Sequence, residues 1–314
     1  ISIIIVAHQS SNDLCELLPE LIADAPRHGL EIIVIDNDSN DGTSTLMKRF
    51  EPDVVYIRNR ENLGFAAAVN QGFKAGRSPY VLLLNPDARI SADDLERLKT
   101  YLDDHESVAA VAPRIEFPDG SLQPSRGSFP SVLRTFAHLF QLKRLMPDDE
   151  TVIHDGSNLL GRVFKQYSEP ENEQEVDYTT GACVLIRRSV MESVGLMDTG
   201  FFLYYEEIDL AKRMKDAGFR WVYLDEVVVK HTVAASSDKA PLRPFLERYR
   251  SMCYYYNKHH SFFETFLVRQ LLYISVLARW GLALISPRFR LDPTVPLSDE
   301  LKIYKRLLHR RVRQ

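Results

Sequence analysis

At 314 residues, with 45% hydrophobic and 26% charged residues, the chain can build one large α/β domain with extensions or two smaller domains, and its composition excludes disorder as the default state. A formal charge of -4 supplies no global basic field for nucleic acid. Three cysteines far apart in sequence, Cys15, Cys183 and Cys253, offer neither a CxxC zinc pair nor a disulfide framework.

Cysteines so placed make a reducing cytosol the expected compartment. Ile1 to His8 (ISIIIVAH) is β-branched and reads as a buried strand, with no secretory signal to read ahead of it. Leu14 to Ala25 has helical apolar spacing, and Glu31 to Asn37 (EIIVIDN) reads as a second strand. DGTSTLMKRF then opens a helix, with Asp41 and Thr43 as caps. Val54 to Asn59 is a third strand, Gly64 to Gly76 a third helix and Tyr80 to Asn85 a fourth strand. This alternation predicts a parallel sheet with crossover helices. Ligands of such sheets sit at the carboxyl ends of the strands. Here those ends carry His8, Gln9, Asp36, Asn37, Asp38, Asn85 and Asp87. No GxGxxG follows the first strand and no Walker A motif occurs, which removes the main support for a dinucleotide oxidoreductase or a P-loop enzyme.

Past Arg114, the Pro/Gly/Ser-rich EFPDGSLQPSRGSFPS, a helical patch and a polar, acidic stretch from Pro147 to Asp177 read as loops or an insertion. YTTGACVLIRRSVMESVGLMD supplies a strand and a short helix. Glu206, Glu207 and Asp209 open a further helix that ends near Gly218, and WVYLDEVVVKH returns as a strand. The apolar stretch from Phe266 to Ser286 is interrupted by Arg269 and Arg279, which leave nine uncharged residues between them, too few for an ordinary membrane span. It reads either as a helix packed on the domain or as one lying in an interface. From Leu301 to Gln314, Lys302, Lys305, Arg306, Arg310, Arg311 and Arg313 occur without an acidic residue, a basic tail that points to an anionic surface.

Four segments, in order and spread over Ile1 to Thr232, together resemble the family 2 nucleotide-sugar glycosyltransferases, whose inverting members have the GT-A fold. VIDNDSNDGT (Val34 to Thr43) looks like VDNxSxDGT, NLGFAAAVNQG (Asn62 to Gly72) resembles NxGFAxAxNxG, LLLNPDA (Leu82 to Ala88) occupies the DxD position, and FFLYYEEIDLAKRMKDAGF matches FFxYxEDxDLxxRxxxxG. The NPDA variant, DGSLQPS (Asp119 to Ser125) and TGACVLIRR (Thr180 to Arg188) look most like the rhamnosyltransferase-type branch. The resemblance implies an α/β, GT-A type Rossmann-like mixed sheet flanked by helices, with a helical C-terminal extension. Its parts would be a nucleotide-binding half (1–113), an acceptor-side half (114–240) and a basic, membrane-associating extension (241–314).

Breaking a sugar–diphosphate bond develops negative charge on the leaving group, which a divalent cation offsets. By resemblance, Asp87 binds that Mg²⁺ or Mn²⁺, Asn85 replaces the first acid of DxD as a neutral oxygen donor or ribose contact, and His231 is a further metal ligand. Asp36 contacts the nucleobase with Asn37 beside it, since a carboxylate can accept the imide N–H of thymine or uracil. Ala7 and His8 line the same pocket through backbone atoms. Arg58, Asn62 and Asn70 approach the diphosphate or sugar, and Gly64 permits a close backbone approach or a helix start. Glu207 is the expected base. It stands where the family has Asp and is one methylene longer, so Glu206 remains an alternative, with Asp209 orienting the surroundings.

The implied activity moves L-rhamnose from dTDP-rhamnose, with inversion, onto a saccharide acceptor linked to a polyprenyl diphosphate, in bacterial cell-surface polysaccharide synthesis at the inner face of the plasma membrane. A UDP-sugar-dependent transferase of the same fold and a non-catalytic nucleotide-sugar binding protein are the competing readings.

Overall fold

The computed structural model describes residues 1–140, 142, 173–232, 242–285, 298, 302 and 305. The expected acidic insertion up to residue 172, the loop at 233–241 and nearly all of the basic tail lie outside these residues. In chain order the elements are β1 (Ser2–Ala7), α1 (Ser11–His28), β2 (Glu31–Asn37), α2 (Thr43–Met47), β3 (Val54–Asn59), α3 (Phe65–Ala75), β4 (Tyr80–Leu84), β5 (Ala88–Arg89), α4 (Ala92–Asp104) and β6 (Val108–Glu116). They continue with β7 (Arg126–Gly127), α5 (Val132–Leu139), β8 (Glu173–Val176), β9 (Tyr178–Thr179), β10 (Cys183–Arg187), α6 (Arg188–Val194), α7 (Glu206–Asp216), β11 (Arg220–His231), α8 (Leu242–His259) and α9 (Phe262–Ile285).

The described residues fall into two compact units. The first takes 1–129, 173–202 and 206–232 and holds a mixed sheet of order β3-β2-β1-β4-β10-β6-β11-β5, with β8 on β11. Strands β1 to β4 are parallel, and β10 returns antiparallel between β4 and β6. The apolar runs are continuous because both sheet faces are covered. Ile3 and Ile5 join Leu14, Leu17 and Leu18 of α1 and Leu95, Leu98 and Leu102 of α4 in one cluster. On the other face α3 lies so close that a Cβ on Gly72 would come 2.5 Å from Ile4 Cγ2. The chain proceeds from β1 to β2 and β3 on one side, then crosses back to place β4 on the other side of β1. Strand order therefore reverses beside β1, and the ends of β1, β2 and β4 open onto the crevice where such sheets bind ligands.

Short strands β5 and β7 went unassigned in the sequence, and β8, which pairs with β11, corrects the reading of Pro147 to Asp177 as loop at its end. Two longer elements, α4 and β6, also went unassigned. Helix α4 is capped by Ser91, whose Oγ accepts the Asp94 N–H. Strand β6 contains Pro113, a residue that argues against an interior strand because it lacks an N–H. It is accommodated where β11 shifts register, Leu224 standing opposite Pro113 and Val228 opposite Arg114.

The second unit takes 130–140, 203–205 and 242–285, with α5, α8 and α9. Thr135 Oγ1 and Tyr256 Oη share a 2.7 Å hydrogen bond between α5 and α8, and Arg279 donates to the Leu139 carbonyl at 2.9 Å. Helix α9 is continuous through Arg269 and Arg279. By length and composition it can cross a membrane from Phe262 to Leu284, which corrects the expectation that the arginines cut it short. Val268, Leu272 and Val276 are buried along one stripe, while Phe262, Phe263, Phe266, Ile274, Leu277 and Leu284 are exposed.

Candidate functional site

The loops after β1 and β2 are fastened to each other. Gln9 N–H donates to Ser39 Oγ, Ser11 N–H to Asp41 Oδ2, and the His8 ring Nδ1 lies 2.8 Å from the Asn37 carbonyl. Ala7, the last residue of β1, is paired with Asp36 and is buried. Burial pushes the Asp41 carboxyl up, but donors from Thr43 and the Ser11 N–H outweigh it and hold the group below its ordinary range. The Thr43 N–H also donates to Asp41 Oδ1, but Gly42 is the residue that caps α2 and no side chain caps it, which corrects the expectation of Asp41 and Thr43 as caps.

Asp36 is fully buried. Its Oδ1 accepts the Ser39 N–H at 2.9 Å, its Oδ2 accepts the Tyr56 hydroxyl at 2.7 Å, and half-exposed Arg58 places Nε 3.7 Å away. Burial and the bond to Asp36 drive the Tyr56 phenol upward, so it remains a neutral donor. Asn37 is a bridge. It donates to the Gly64 carbonyl and accepts from Asn59, which is itself paired in both directions with Gln71.

Asn62, Gly64 and Asn70 fasten the start of α3 to the segment that leads into α7. Asn62 Oδ1 accepts the Gly64 N–H at 3.0 Å; Gly64 has φ +87°, and a Cβ there would meet the Phe202 carbonyl oxygen at 2.5 Å. Phe65 N–H donates to that same carbonyl at 2.8 Å. Asn70 uses both ends of its amide on the Met197 backbone, at 2.8 and 3.1 Å. The structure thus places these three on protein backbone.

At the end of β4, Asn85-Pro86-Asp87-Ala88 forms a β-turn, with the Ala88 N–H bonded to the Asn85 carbonyl at 3.1 Å and proline at its second position. Ala88 then pairs with His231 at the end of β11. That pairing brings His231 Nε2 to 3.2 Å from Asp87 Oδ1 and 3.2 Å from Asn85 Nδ2, with Asp87 6% and His231 7% exposed. Gln123 Oε1 lies 2.9 Å from the other ring nitrogen, Nδ1. Gln123 lies in the DGSLQPS segment, and no local motif marks its role because its partner is 108 residues away in sequence. A nearby acid, Asp13 on α1, is pushed upward by burial and then by the Asp87 charge.

Among the described residues no three His, Cys, Asp or Glu side chains converge as a complete metal cage. The pair Asp87–His231 fits a cation whose other ligands come from outside the protein. Mg²⁺ characteristically keeps such a site, held by one or two carboxylates and substrate phosphates, and imidazole suits Mn²⁺ less poorly than Mg²⁺.

The acids of α7 occupy its first turn, where the helix dipole favours carboxylates. Glu206 is 4% exposed, whereas Glu207 is only partly buried. Asp209 is fully buried and accepts from Arg213 Nε at 2.9 Å, while the same guanidinium donates to the carbonyls of Val194, Gly195 and Leu196. Asp209 therefore fixes the helix to the turn after α6. Four non-glycine residues described here have positive φ: Gln9, Asp38, Tyr204 and Tyr205. Each costs about 1 kcal/mol or more. They follow β1, follow β2, and immediately precede Glu206, so backbone strain is concentrated on the segments that carry the candidate residues.

The sequence profile described as Glycosyl transferase family 2 matches residues 2–195. The chain is 28% identical over 248 residues to the N-acetylglucosaminyl-diphospho-decaprenol L-rhamnosyltransferase of Mycobacterium tuberculosis, covering 76% of this chain and 78% of that protein. It is 28% identical over 235 residues to the rhamnosyltransferase WbbL of Escherichia coli, covering 71% and 79%. Among solved structures, the mannosyltransferase PcManGT from Pyrobaculum calidifontis in complex with GDP-Man and Mn²⁺ shares the fold, with a TM-score of 0.55 and 17% identity over 99% of this chain and 81% of that one.

Proposed function

Because the chain belongs to glycosyl transferase family 2, we propose that it moves L-rhamnose from dTDP-rhamnose, with inversion, onto a saccharide carried by a polyprenyl diphosphate. It is a nucleotide-sugar glycosyltransferase with a GT-A fold, similar to rhamnosyltransferases; donor, stereochemistry and acceptor are the finer reading. The names of the two bacterial relatives support the sugar and, for the first, the lipid-linked acceptor. The observation that carries the reading is the meeting of Asp87, Asn85 and His231 at the carboxyl end of β4, beside the point where strand order reverses.

Asp87 and His231 would hold Mg²⁺ or Mn²⁺, which when bound offsets the charge developing on the leaving diphosphate. Asn85 donates to the His231 ring and offers its amide oxygen to the nucleotide. Partly exposed His8 would line the nucleobase pocket, with buried Ala7, Asp36 and Asn37 beneath it. To accept a thymine imide N–H, buried Asp36 would have to exchange the Tyr56 hydroxyl bond that it now accepts. Arg58, half exposed at the pocket edge, is placed to meet a phosphate. Glu207, the more accessible of the adjacent glutamates, takes the acceptor hydroxyl proton as that oxygen attacks the anomeric carbon. Glu206 and Asp209 support it. Asn62, Gly64 and Asn70 serve as positioning residues, tying the donor-side helix to the turn-rich segment ahead of α7. Residues 1–113 would bind the donor, 114–240 present the acceptor side, and 241–314 associate peripherally with the inner face of the plasma membrane.

The test is transfer in vitro from dTDP-rhamnose to a polyprenyl-diphosphate-linked N-acetylglucosamine, with the anomeric configuration of the product read by NMR and UDP-sugars run in parallel. Acceptor-dependent dTDP release with an inverted product supports the proposal. Transfer from a UDP-sugar alone, or retained configuration, contradicts it.

A further inference from the structure

We infer that Arg248 and Arg279, with the His138 ring in reach of both charges, form a site for the diphosphate of the lipid-linked acceptor. The inference rests on the acceptor class proposed above and assigns residues to its recognition.

The helical unit is basic, although the chain as a whole has a formal charge of -4. Among its described residues the acids are Glu247 and Glu264, and both are engaged by close neighbours. Glu247 Oε1 accepts from Arg250 at 2.6 Å, and Glu264 Oε2 accepts the N–H and the hydroxyl of Ser261 at 3.0 and 2.8 Å. Arg248 and Arg279 therefore keep their charges without a carboxylate among the described residues. Arg248 is exposed on α8, with its Cζ 4.7 Å from the centre of the Tyr204 ring, two residues ahead of Glu206 in sequence. Arg279 stands on the inward stripe of α9, about one turn from buried Val276 and Ala283, where the helical period calls for an apolar side chain. It is partly buried and donates to the Leu139 carbonyl at 2.9 Å. A guanidinium carries five N–H donors, and one neutral carbonyl does not offset a charge withdrawn from water.

The two charges act on the same neighbours. His138, which precedes Leu139 on α5, is reachable from water, yet protein atoms crowd its ring: desolvation lowers its pKa, and the charges of Arg248 and Arg279 lower it further. Burial pushes the Tyr249 phenol up, against the opposing pull of Arg279 and Arg248. Three helices thus bring two guanidiniums and an imidazole together, and a bound anion would relieve their mutual repulsion. Guanidinium forks match phosphate oxygens bidentately, so two of them from different helices suit two linked phosphates better than one headgroup phosphate. A prenyl chain leaving that diphosphate would meet exposed Leu282, one turn beyond Arg279. Phe262, Phe263 and Phe266, exposed to meet a bilayer, lie about 20 Å or more back along α9.

The experiment titrates farnesyl diphosphate, a short soluble probe, into the full chain by calorimetry with EDTA present, which removes divalent metal from the donor site. The wild type should bind it. Arg248→Gln and Arg279→Gln should each weaken binding about tenfold or more, the worth of a charged hydrogen bond. Arg279→Lys, which keeps the charge and guards against a folding defect, should lose less, and Arg97→Gln on α4 should lose nothing. Inorganic diphosphate should bind more weakly than farnesyl diphosphate, and sedimentation with phosphatidylglycerol vesicles should be the same in Arg248→Gln as in the wild type. Unchanged farnesyl diphosphate affinity in both glutamine variants would overturn the inference. So would vesicle sedimentation that falls in step with the arginine variants, which assigns them to lipid headgroups, or inorganic diphosphate that binds as tightly, which assigns them to free phosphate. In the transfer assay Arg248→Gln should raise the KM for the lipid-linked acceptor and leave the KM for dTDP-rhamnose unchanged. A chain that binds farnesyl diphosphate through these arginines but transfers no sugar to a lipid-linked saccharide would overturn the proposed activity and leave the site standing.

Discussion

At the scale of single residues, the proposed site assigns binding and chemistry to different side chains. Glu207→Gln should lower kcat by about a hundredfold or more, the usual contribution of a positioned base, while the affinity for dTDP measured by calorimetry stays unchanged. An equal loss in Glu206→Gln, with Glu207→Gln active, would exchange the two roles. Gly64→Ala acts differently. Its Cβ would collide with the Phe202 carbonyl at 2.5 Å in a backbone conformation that alanine disfavours, so destabilisation of about 2 kcal/mol or more is expected in denaturant melts. Single-residue roles were legible in the sequence where a motif marks them locally, as with Gly64 at the start of α3. They were not legible for Asn70 on Met197 or Gln123 on His231, where more than a hundred residues separate donor and acceptor.

At the scale of elements, the parallel strands are joined at their amino ends by Glu31. Partial burial pushes its carboxyl up, but the Ser2 hydroxyl and the N–H groups of Arg77 and Ser78 outweigh this and hold it down to about 2. A carboxyl depressed in the folded state adds stability above its unfolded value of 4.5, and that stability is lost as pH falls from there toward about 2. Melting temperatures of the wild type should therefore decline more steeply over that window than those of Glu31→Gln. The difference should be about 1 kcal/mol after allowance for solvent screening. Strands β1 to β4 could be read directly because each is a short apolar run between turn signals. Strand β6 could not: Pro113 breaks the local pattern, and only the register shift in β11 across the sheet makes room for it. The strained backbone at Tyr204 and Tyr205 is likewise set by what surrounds it and leaves no mark in the residue types.

At the scale of the whole molecule, the mixed sheet and the helical extension follow from the order of strands and helices along the chain, and the family motifs fall at the carboxyl ends of the strands, where we propose the donor binds. The exposed side of α9 offers Phe262, Phe263 and Phe266 to its surroundings, and the chain beyond the helix carries six Lys or Arg and no acid between Leu301 and Gln314. Apolar insertion plus attraction to anionic lipid is the expected result. Phe263→Glu with Phe266→Glu should reduce sedimentation with anionic liposomes without altering dTDP binding; unchanged sedimentation would remove α9 from the membrane contact.

The central claim is that Asp87 and His231 bind a nucleotide diphosphate through a divalent cation, and thermal stabilisation by dTDP and Mn²⁺, singly and together, tests it most directly, since a ligand of the native state raises the melting temperature. The account predicts a rise with both that exceeds the sum of the separate rises and disappears in Asp87→Ala. No rise with dTDP and Mn²⁺ together, or an equal rise in Asp87→Ala, would contradict it.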